Sequence, residues 1–385
     1  MSNIIGVLEG SEGYMNRLWL VLGASLLLAW LIEWRDQKFK LCGAQRQERA
    51  LTWCLTLMLI LFCGLRIWGN DTDTYIENYE LLTPTLDEMT AEDIPSFAKA
   101  IGFSFLNIIL KTIGLSSQDY LMFYAVLTVI PYVYFVRKYS TDLVLGVFLM
   151  FATGFYTFSM AAIKQSLATG ICLCAIPFAL EGKWIKFSLI VTFSSLFHPY
   201  ALIYFLVPFM IFEPWKGKTI LCVILFMAAG LLLEPLIGTV LDITDMMGAE
   251  YTVAEMMGEG VNLFRVLVSF VPMITALFYG NALFKDAGKD VHLMFNLAMV
   301  NALIMFVGIF GTANYFARLA NYFLPAQVIF LPWLIRSAHP SDRRWLMPAC
   351  IIGYLGYFYY ENAIIRPFDS GYAQMSLWEY IGSHF

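Results

Sequence analysis

The sequence predicts an all-α, polytopic membrane protein, and three observations carry that prediction. Of its 385 residues, 59% are hydrophobic and only 14% are charged, against about 25% charged in soluble domains; mean hydropathy is +0.68. Apolar runs recur along the whole chain at lengths suited to a bilayer core, which takes about 20 helical residues to cross. Basic residues are shared unequally among the loops joining these runs, as membrane insertion requires.

Ten segments read as full spans: 18–34, 50–66, 120–136, 142–160, 163–180, 218–240, 263–284, 291–312, 315–335 and 345–361. Residues 101–115 are apolar but short and contain Lys111, and read as an interfacial helix. Residues 184–212 are interrupted by His198-Pro199. Proline cannot donate to the helix ladder and pushes the preceding residue out of the helical region. The chain reads as one transmembrane domain over 1–385. Its N-terminus has Glu9 and Glu12 in place of a basic signal region, so the first apolar run is expected to stay uncleaved.

The distribution of positive charge decides how 184–212 crosses. Arg35, Lys38, Lys40, Arg46 and Arg49 put the 35–49 loop on the cytoplasmic side, and the acidic 67–100 segment suits the outside. If 184–212 is one span, Lys216, Lys218, Lys285, Lys289, Arg336, Arg343 and Arg344 fall outside, and only Arg265, Arg318 and Arg366 fall inside. If it is a hairpin with its tip at His198-Pro199, all seven become cytoplasmic. The hairpin is preferred, each arm reaching about 21 Å at 1.5 Å per residue. That choice brings Arg66, Lys164, Arg265, Arg318 and His198 to the outer ends of their segments, with the acidic 242–262 loop beside them. Charged groups are costly near hydrocarbon, about 2.5–3.5 kcal/mol at mid-bilayer, so such a gathering marks a working site.

Each residue also has a plainer reading. Arg66 could snorkel to headgroups. Asp71 and Asp73 could cap a helix, and Thr74-x-x-Glu77 reads as a capping box that sets Tyr75, Tyr79 and Leu82 on one face. Gly69 supplies a backbone angle the turn needs. Lys164-Gln165 opens a helix, where the dipole prefers an anion, so a lysine there suits an arriving anion. Asn314, Arg318 and Asn321 share a stripe, with Tyr315 and Tyr322 beside them, as a cavity wall would. Glu234 before Pro235 pairs with an arginine or marks a kink. His292, His339 and His384 receive no role. Cys42, Cys54, Cys63, Cys172, Cys174, Cys222 and Cys350 form no CxxC and read as small membrane hydrophobes. No spacing suggests a metal site, a dinucleotide or phosphate loop, or an internal repeat.

Taken in order, these motifs resemble the EpsG family, Wzy-like polymerases of bacterial exopolysaccharide and O-antigen. Arg66, Gly69-Asn70-Asp71 and Tyr75 resemble the family's Arg, Gly-x-Asp turn and Tyr four residues later. Lys164-Gln165 resembles its Arg-Gln pair, Phe197-His198 its Phe-His near a helix break, and Arg318 to Tyr322 its Arg-x-x-x-Tyr. One departure is the lysine at 164, which keeps the charge but loses the arginine fork. The resemblance implies a GT-C-like, multi-pass protein of the bacterial cytoplasmic (inner) membrane. It implies metal-independent glycosyl transfer at the outer, periplasmic face, without cofactor or nucleic acid. Donor and acceptor would be glycans on undecaprenyl diphosphate, with membrane lipids and a chain-length regulator as partners.

On this reading Arg66, Lys164 and Arg318 meet the diphosphate, with Gln165 and Arg265 beside them. His198 or Asp71 is the base, the choice being open from sequence. Tyr75, Tyr79, Tyr315 and Tyr322 stack on sugars, Asp73 binds substrate, and the 67–100 and 242–262 loops line the glycan cavity. A lipid-linked glycan flippase is the alternative, but it calls for a charged path through the membrane centre and internal repeats. An O-antigen ligase is another.

Overall fold

A computed structural model of the chain describes residues 2–41, 47–90, 100–246, 252–365 and 373–384, with side chains from residue 15 onward. Cys42, Arg46, Glu92, Asp93, Glu250 and Arg366 lie outside them, as do the side chains of Glu9 and Glu12. The helices in chain order are α1 Ser2–Leu41, α2 Ala50–Gly64, α3 Thr72–Glu77, α4 Ile101–Thr112, α5 Ser117–Tyr139, α6 Leu143–Ala152, α7 Phe158–Ala161, α8 Ile163–Leu180 and α9 Trp184–Ser195. They continue as α10 Gly217–Leu231, α11 Ile237–Met246, α12 Val253–Met256, α13 Leu263–Tyr279, α14 Lys289–Val307, α15 Ala313–Asn321, α16 Leu324–Ser337, α17 Pro340–Tyr359 and α18 Leu377–Gly382. A 3₁₀ helix covers Pro199–Met210 and a π-helix extends α3 over Asn78–Leu82. Two short strands, β1 Arg66–Trp68 and β2 Ala373–Gln374, pair antiparallel.

The chain is an all-α multi-pass membrane protein. Among the described residues, five helical stretches are long and apolar enough to cross a bilayer: Met15–Leu41, Ser117–Tyr139, Ile163–Leu180, Leu263–Phe284 and Lys289–Val307. Shorter apolar helices accompany them, among them α2, α4, α6, α9 and α10. Leu221, Ile224 and Leu225 of α10 and Leu267, Leu277 and Phe278 of α13 are exposed. Such apolar faces are tolerable in contact with lipid and not with water.

Prolines break two of the expected spans, and they break 184–212 where a break was expected. A proline ring clashes with the carbonyl four residues earlier. Accordingly α9 ends at Ser195 before Pro199, α10 at Leu231 before Pro235, and α15 at Asn321 before Pro325. The expected spans 218–240 and 315–335 are therefore each two helices, and Glu234 sits exposed at the first kink. Pro131, Pro177, Pro272, Pro332 and Pro348 lie inside helices that continue through them. The expected span 142–160 stops at Ala152, because Gly154 takes a left-handed φ of +81° and turns the chain. The expected spans 315–335 and 345–361 fall on helices outside the five long apolar stretches.

Two compact units divide the chain. The first comprises Met1–Ile94, Phe105–Gly170 and Pro348–Phe385. Within it α2 packs on α1 and α5, and α1 on α6. A Ser116/Asp119 capping box starts α5, and the Asp142 side chain caps α6. Four of its tyrosines are buried inside, and the hydroxyl of each finds a partner: Tyr79 on Leu115 O, Tyr124 on Asn107 Oδ1, Tyr132 on Ser166 O and Tyr156 on Leu59 O.

The C-terminal segment returns to this unit. Besides the β1–β2 pairing, the Tyr380 hydroxyl donates to Asp119 at 2.7 Å and His384 Nε2 lies 2.8 Å from the same carboxylate oxygen. The other ring nitrogen of His384 is 2.8 Å from Tyr380 O. Both neighbours are acceptors, so the doubly protonated imidazolium fits best. The Tyr380 carbonyl first, and then Asp119, hold its pKa above the ordinary value. A raised folded-state pKa stabilises docking below about pH 6.5 and loses that contribution as pH rises through the raised value. Amide exchange in β2 and α18, corrected for intrinsic rates, is expected to be slower at about pH 6 than at about pH 8.5; His384→Ala removes the difference.

The second unit comprises Pro95–Ser104 and Ile171–Met347. Its centre is α14, buried almost all round and packed by α10, α13, α15 and α16. Asn296 donates to Met210 O and Phe212 O, and Asn301 to Ala320 O. The segment 184–212 folds as the expected hairpin: α9 packs on the 3₁₀ arm, and Phe187 meets Phe205 at 6.2 Å across it. Within the 242–262 loop, Val261 N donates to Gly308 O, and a Cβ on Gly260 would stand 2.4 Å from Ile309 O. Gly260→Ala is expected to cost about 1–3 kcal/mol through this overlap, read as a lower midpoint in thermal unfolding of the detergent-solubilised protein.

Candidate functional site

In the first unit, the site grows from the end of α2. The last four carbonyls of a helix have no intrahelical donor, and each left unsatisfied in an apolar setting costs about 1–3 kcal/mol. Here Leu65 N returns to Leu61 O, Gln374 Nε2 donates to Phe62 O, Arg66 Nη1 to Cys63 O, and Gln118 Nε2 to Gly64 O. Met375 N adds a bond to Leu65 O, and Gln118 also reaches Arg66 O at 3.3 Å.

Arg66 is 1% exposed. Its Nε donates to Thr72 Oγ1 at 3.0 Å, and Nη1 lies 3.4 Å from Cys63 Sγ. No carboxylate among the described residues forms an ion pair with it. A buried guanidinium without a counter-charge among the described residues is expensive. Gly69 has a φ of +128° and Asn70 of +50°, so the turn after β1 does need glycine's freedom. The helix after it starts at Thr72, so Asp71, and not Thr74, takes the cap position. Thr74-x-x-Glu77 lies inside the helix and is no capping box. The Asp71 carboxylate is exposed and makes no hydrogen bond among the described residues. Asp73 is half-buried in the first turn of α3, where the helix dipole favours an anion. Tyr75 is half-buried.

Lys164 and Gln165 open α8, Lys164 half-buried and Gln165 2% exposed. Ser159, in the helical turn just before them, contacts Cys63 Sγ at 3.8 Å, which ties this segment to the Arg66 pocket.

In the second unit, His198 occupies the tip of the hairpin, in extended backbone with φ −155°. Its Nδ1 lies 2.8 Å from the Tyr322 hydroxyl. Its ring meets Tyr200 edge-on at 4.9 Å, and Tyr200 meets Tyr315 at 5.4 Å. Tyr322 is delivered to His198 by the α15–α16 break, which Asn301 supports through Ala320 O. If Tyr322 accepts from Nδ1–H, the neutral tautomer carries its basic lone pair on Nε2.

Arg318 and Asn314 are exposed on α15, and Asn321 is half-buried. The start of α15 is held by the 252–262 loop, through Thr312 N on Met256 O and Ala313 N on Glu259 O. Arg265 is half-buried in the first turn of α13, after its Asn262 cap. Like Lys164, it is a cation at the end of a helix where the dipole prefers an anion.

The structure thus brings His198 and Tyr322 together in one unit, and Arg66, the Asp71 turn and the start of α8 in the other. Of the four tyrosines expected against sugar, Tyr79, Tyr315 and Tyr322 are buried, and Tyr75 keeps a half-exposed ring. Burial, with Asp119 nearby, pushes the Tyr79 phenol up to about 12. Sequence reading missed Cys63, Thr72, Gln118, Ser159, Tyr200, Gln374 and the docking of His384. Only Gln118 had a signal, standing inside the Ser116-x-x-Asp119 cap.

The family model described as the EpsG family matches residues 49–380. No curated protein and no solved structure matches the chain.

Proposed function

The chain belongs to the EpsG family, a family of Wzy-like polymerases, and on that premise we propose that it joins lipid-linked oligosaccharide repeat units into O-antigen or exopolysaccharide. The observation that carries this reading is the family match over residues 49–380, which takes in every residue assigned a role below. The burial of Arg66 without a carboxylate partner among the described residues supports it from the side of the chemistry.

The donor is a glycan on undecaprenyl diphosphate and the acceptor a hydroxyl of a second lipid-linked unit. The acceptor oxygen forms the bond to the anomeric carbon as the bond from that carbon to the diphosphate breaks. The departing oxygens gain negative charge, which Arg66, Lys164, Arg318 and Arg265 stabilise, with Gln165 donating a hydrogen bond. The hydroxyl proton passes to His198 Nε2, while Tyr322 fixes the tautomer through Nδ1. Asp71, an exposed carboxylate, and Asp73 accept hydrogen bonds from sugar hydroxyls, and Tyr75 offers a ring to a sugar face. The transfer needs no metal on this reading, in a GT-C-like single transmembrane domain of about ten crossings. The site opens to the periplasmic side of the inner membrane, the 67–100 and 242–262 loops line the glycan cavity, and a chain-length regulator is a partner.

The test is the lipopolysaccharide or capsule ladder of a deletion strain. A single repeat unit on the lipid core, restored to a ladder by the intact gene, supports polymerisation. Loss of all surface glycan with lipid-linked units trapped on the cytoplasmic side identifies a flippase instead, and full-length polymer left on its lipid carrier identifies a ligase.

A further inference from the structure

The C-terminal segment has no part in the chemistry above, yet it supplies two of the bonds that complete the end of α2. Gln374 Nε2 donates to Phe62 O at 3.0 Å and Met375 N to Leu65 O at 3.0 Å, the two carbonyls on either side of those bonded by Arg66 and Gln118. Gln374 also pairs with Arg66 in the β1–β2 register. The segment is anchored a second time by Tyr380 and His384 on Asp119, the residue next to Gln118. Four separated stretches of chain therefore close on one helix end: residues 63–72, Gln118-Asp119, Ser159 and 373–384.

This matters for Arg66 because a guanidinium carries five donors. With the tail in place, the neighbouring carbonyls are already taken, and the side chain is confined to Cys63 O, Cys63 Sγ and Thr72 Oγ1. With the tail removed, Phe62 O and Leu65 O lose the donors that Gln374 and Met375 supply, and the Arg66 fork, which already bonds the Cys63 carbonyl between them, carries further donors that can turn to them. The fork would leave its place to serve the backbone.

We propose that the C-terminal segment Ala373–His384 is a positioning element for Arg66, with Gln374 on one side and Gln118 on the other as the positioning residues. This rests on the role given to Arg66 in the proposed function, and the test separates the two.

Full-length protein in nanodiscs, as wild type, Gln374→Ala and Gln118→Ala, is treated with a maleimide, and the modified cysteines are located by mass spectrometry. Cys63 is buried against Arg66, and Cys172 is buried in the second unit, so Cys172 reports global folding. The expected result is labelling of Cys63 at least about tenfold faster in both variants, with Cys172 still protected. Polymerisation of lipid-linked repeat units falls about tenfold in both variants. In an Arg66→Lys background Gln374→Ala adds little further loss, because residues that act through one another are not additive. Unchanged Cys63 labelling in both variants overturns the inference, as does normal polymerisation with Cys63 exposed, or full additivity with Arg66→Lys. Should Gln374→Ala label Cys172 as well, Gln118→Ala alone decides. Normal polymer from Arg66→Ala would overturn the functional reading, while the labelling still decides whether the tail shields Arg66.

Discussion

Replacing Arg66 with alanine abolishes long polymer while the protein remains folded in the membrane. The two halves of that expectation have separate causes. A group that meets charge developing only as the diphosphate leaves acts on the transition state, and losing such a group costs about 10²–10³ in turnover. The fold loses less. Arg66 is buried with no carboxylate partner among the described residues, so its removal also relieves the desolvation penalty of an ion, several kcal/mol. Against that stand an orphaned Cys63 carbonyl, about 1–3 kcal/mol, and the lost bond to Thr72. Arg66→Lys separates charge from geometry: one ammonium cannot serve Thr72, Cys63 and a phosphate as a fork does, and about a tenth of the activity is expected to remain. The checks are polymer length on a gel and protein level by immunoblot. Full-length polymer from Arg66→Ala would remove Arg66 from the reaction.

His198→Ala lowers polymerisation by about 10²–10⁴, the usual contribution of a positioned base. Tyr322→Phe is the more telling variant, because Tyr322 is wholly buried and meets His198 Nδ1 with its hydroxyl. Deleting that oxygen leaves the packing nearly intact and removes one hydrogen bond, about 0.5–1.5 kcal/mol. The imidazole then loses the partner that selects its tautomer, and activity is expected to fall about tenfold with protein level unchanged. Asp71→Asn should fall less than His198→Ala, since Asp71 is read as a sugar contact. The reverse order would make Asp71 the base. Measuring all three against substrate concentration distinguishes loss of binding from loss of turnover.

The break at His198-Pro199 was legible, since a proline in an apolar run is a local signal acting on the carbonyl four residues earlier. The same rule ends α15 before Pro325, but 315–335 reads as continuous because other prolines, such as Pro332, lie inside helices. Local sequence does not say which freed carbonyl will find another donor. The choice among Asp71, Asp73 and Thr74 as the cap stayed open for a related reason. Thr74-x-x-Glu77 satisfies the capping pattern, but the strained Gly69-Asn70 turn starts the helix at Thr72 and puts the cap at Asp71, three residues before Thr74.

By itself, the sequence determined the solvent of this protein, the helical class, the hairpin at 184–212 and the order of the family's motifs. The first two follow from composition and periodicity, the hairpin from a proline and the distribution of positive charge, and the motif order from the resemblance to the EpsG family. Only the tertiary structure decided which side chains are exposed and which are sealed. It turned Tyr79 and Tyr322 from sugar platforms into buried hydrogen-bond donors or acceptors, and it brought Gln118 and Gln374 to one helix end. The reason is that the last carbonyls of α2 must find donors wherever the fold can supply them. No local pattern around residue 374 announces a partner more than 300 residues away.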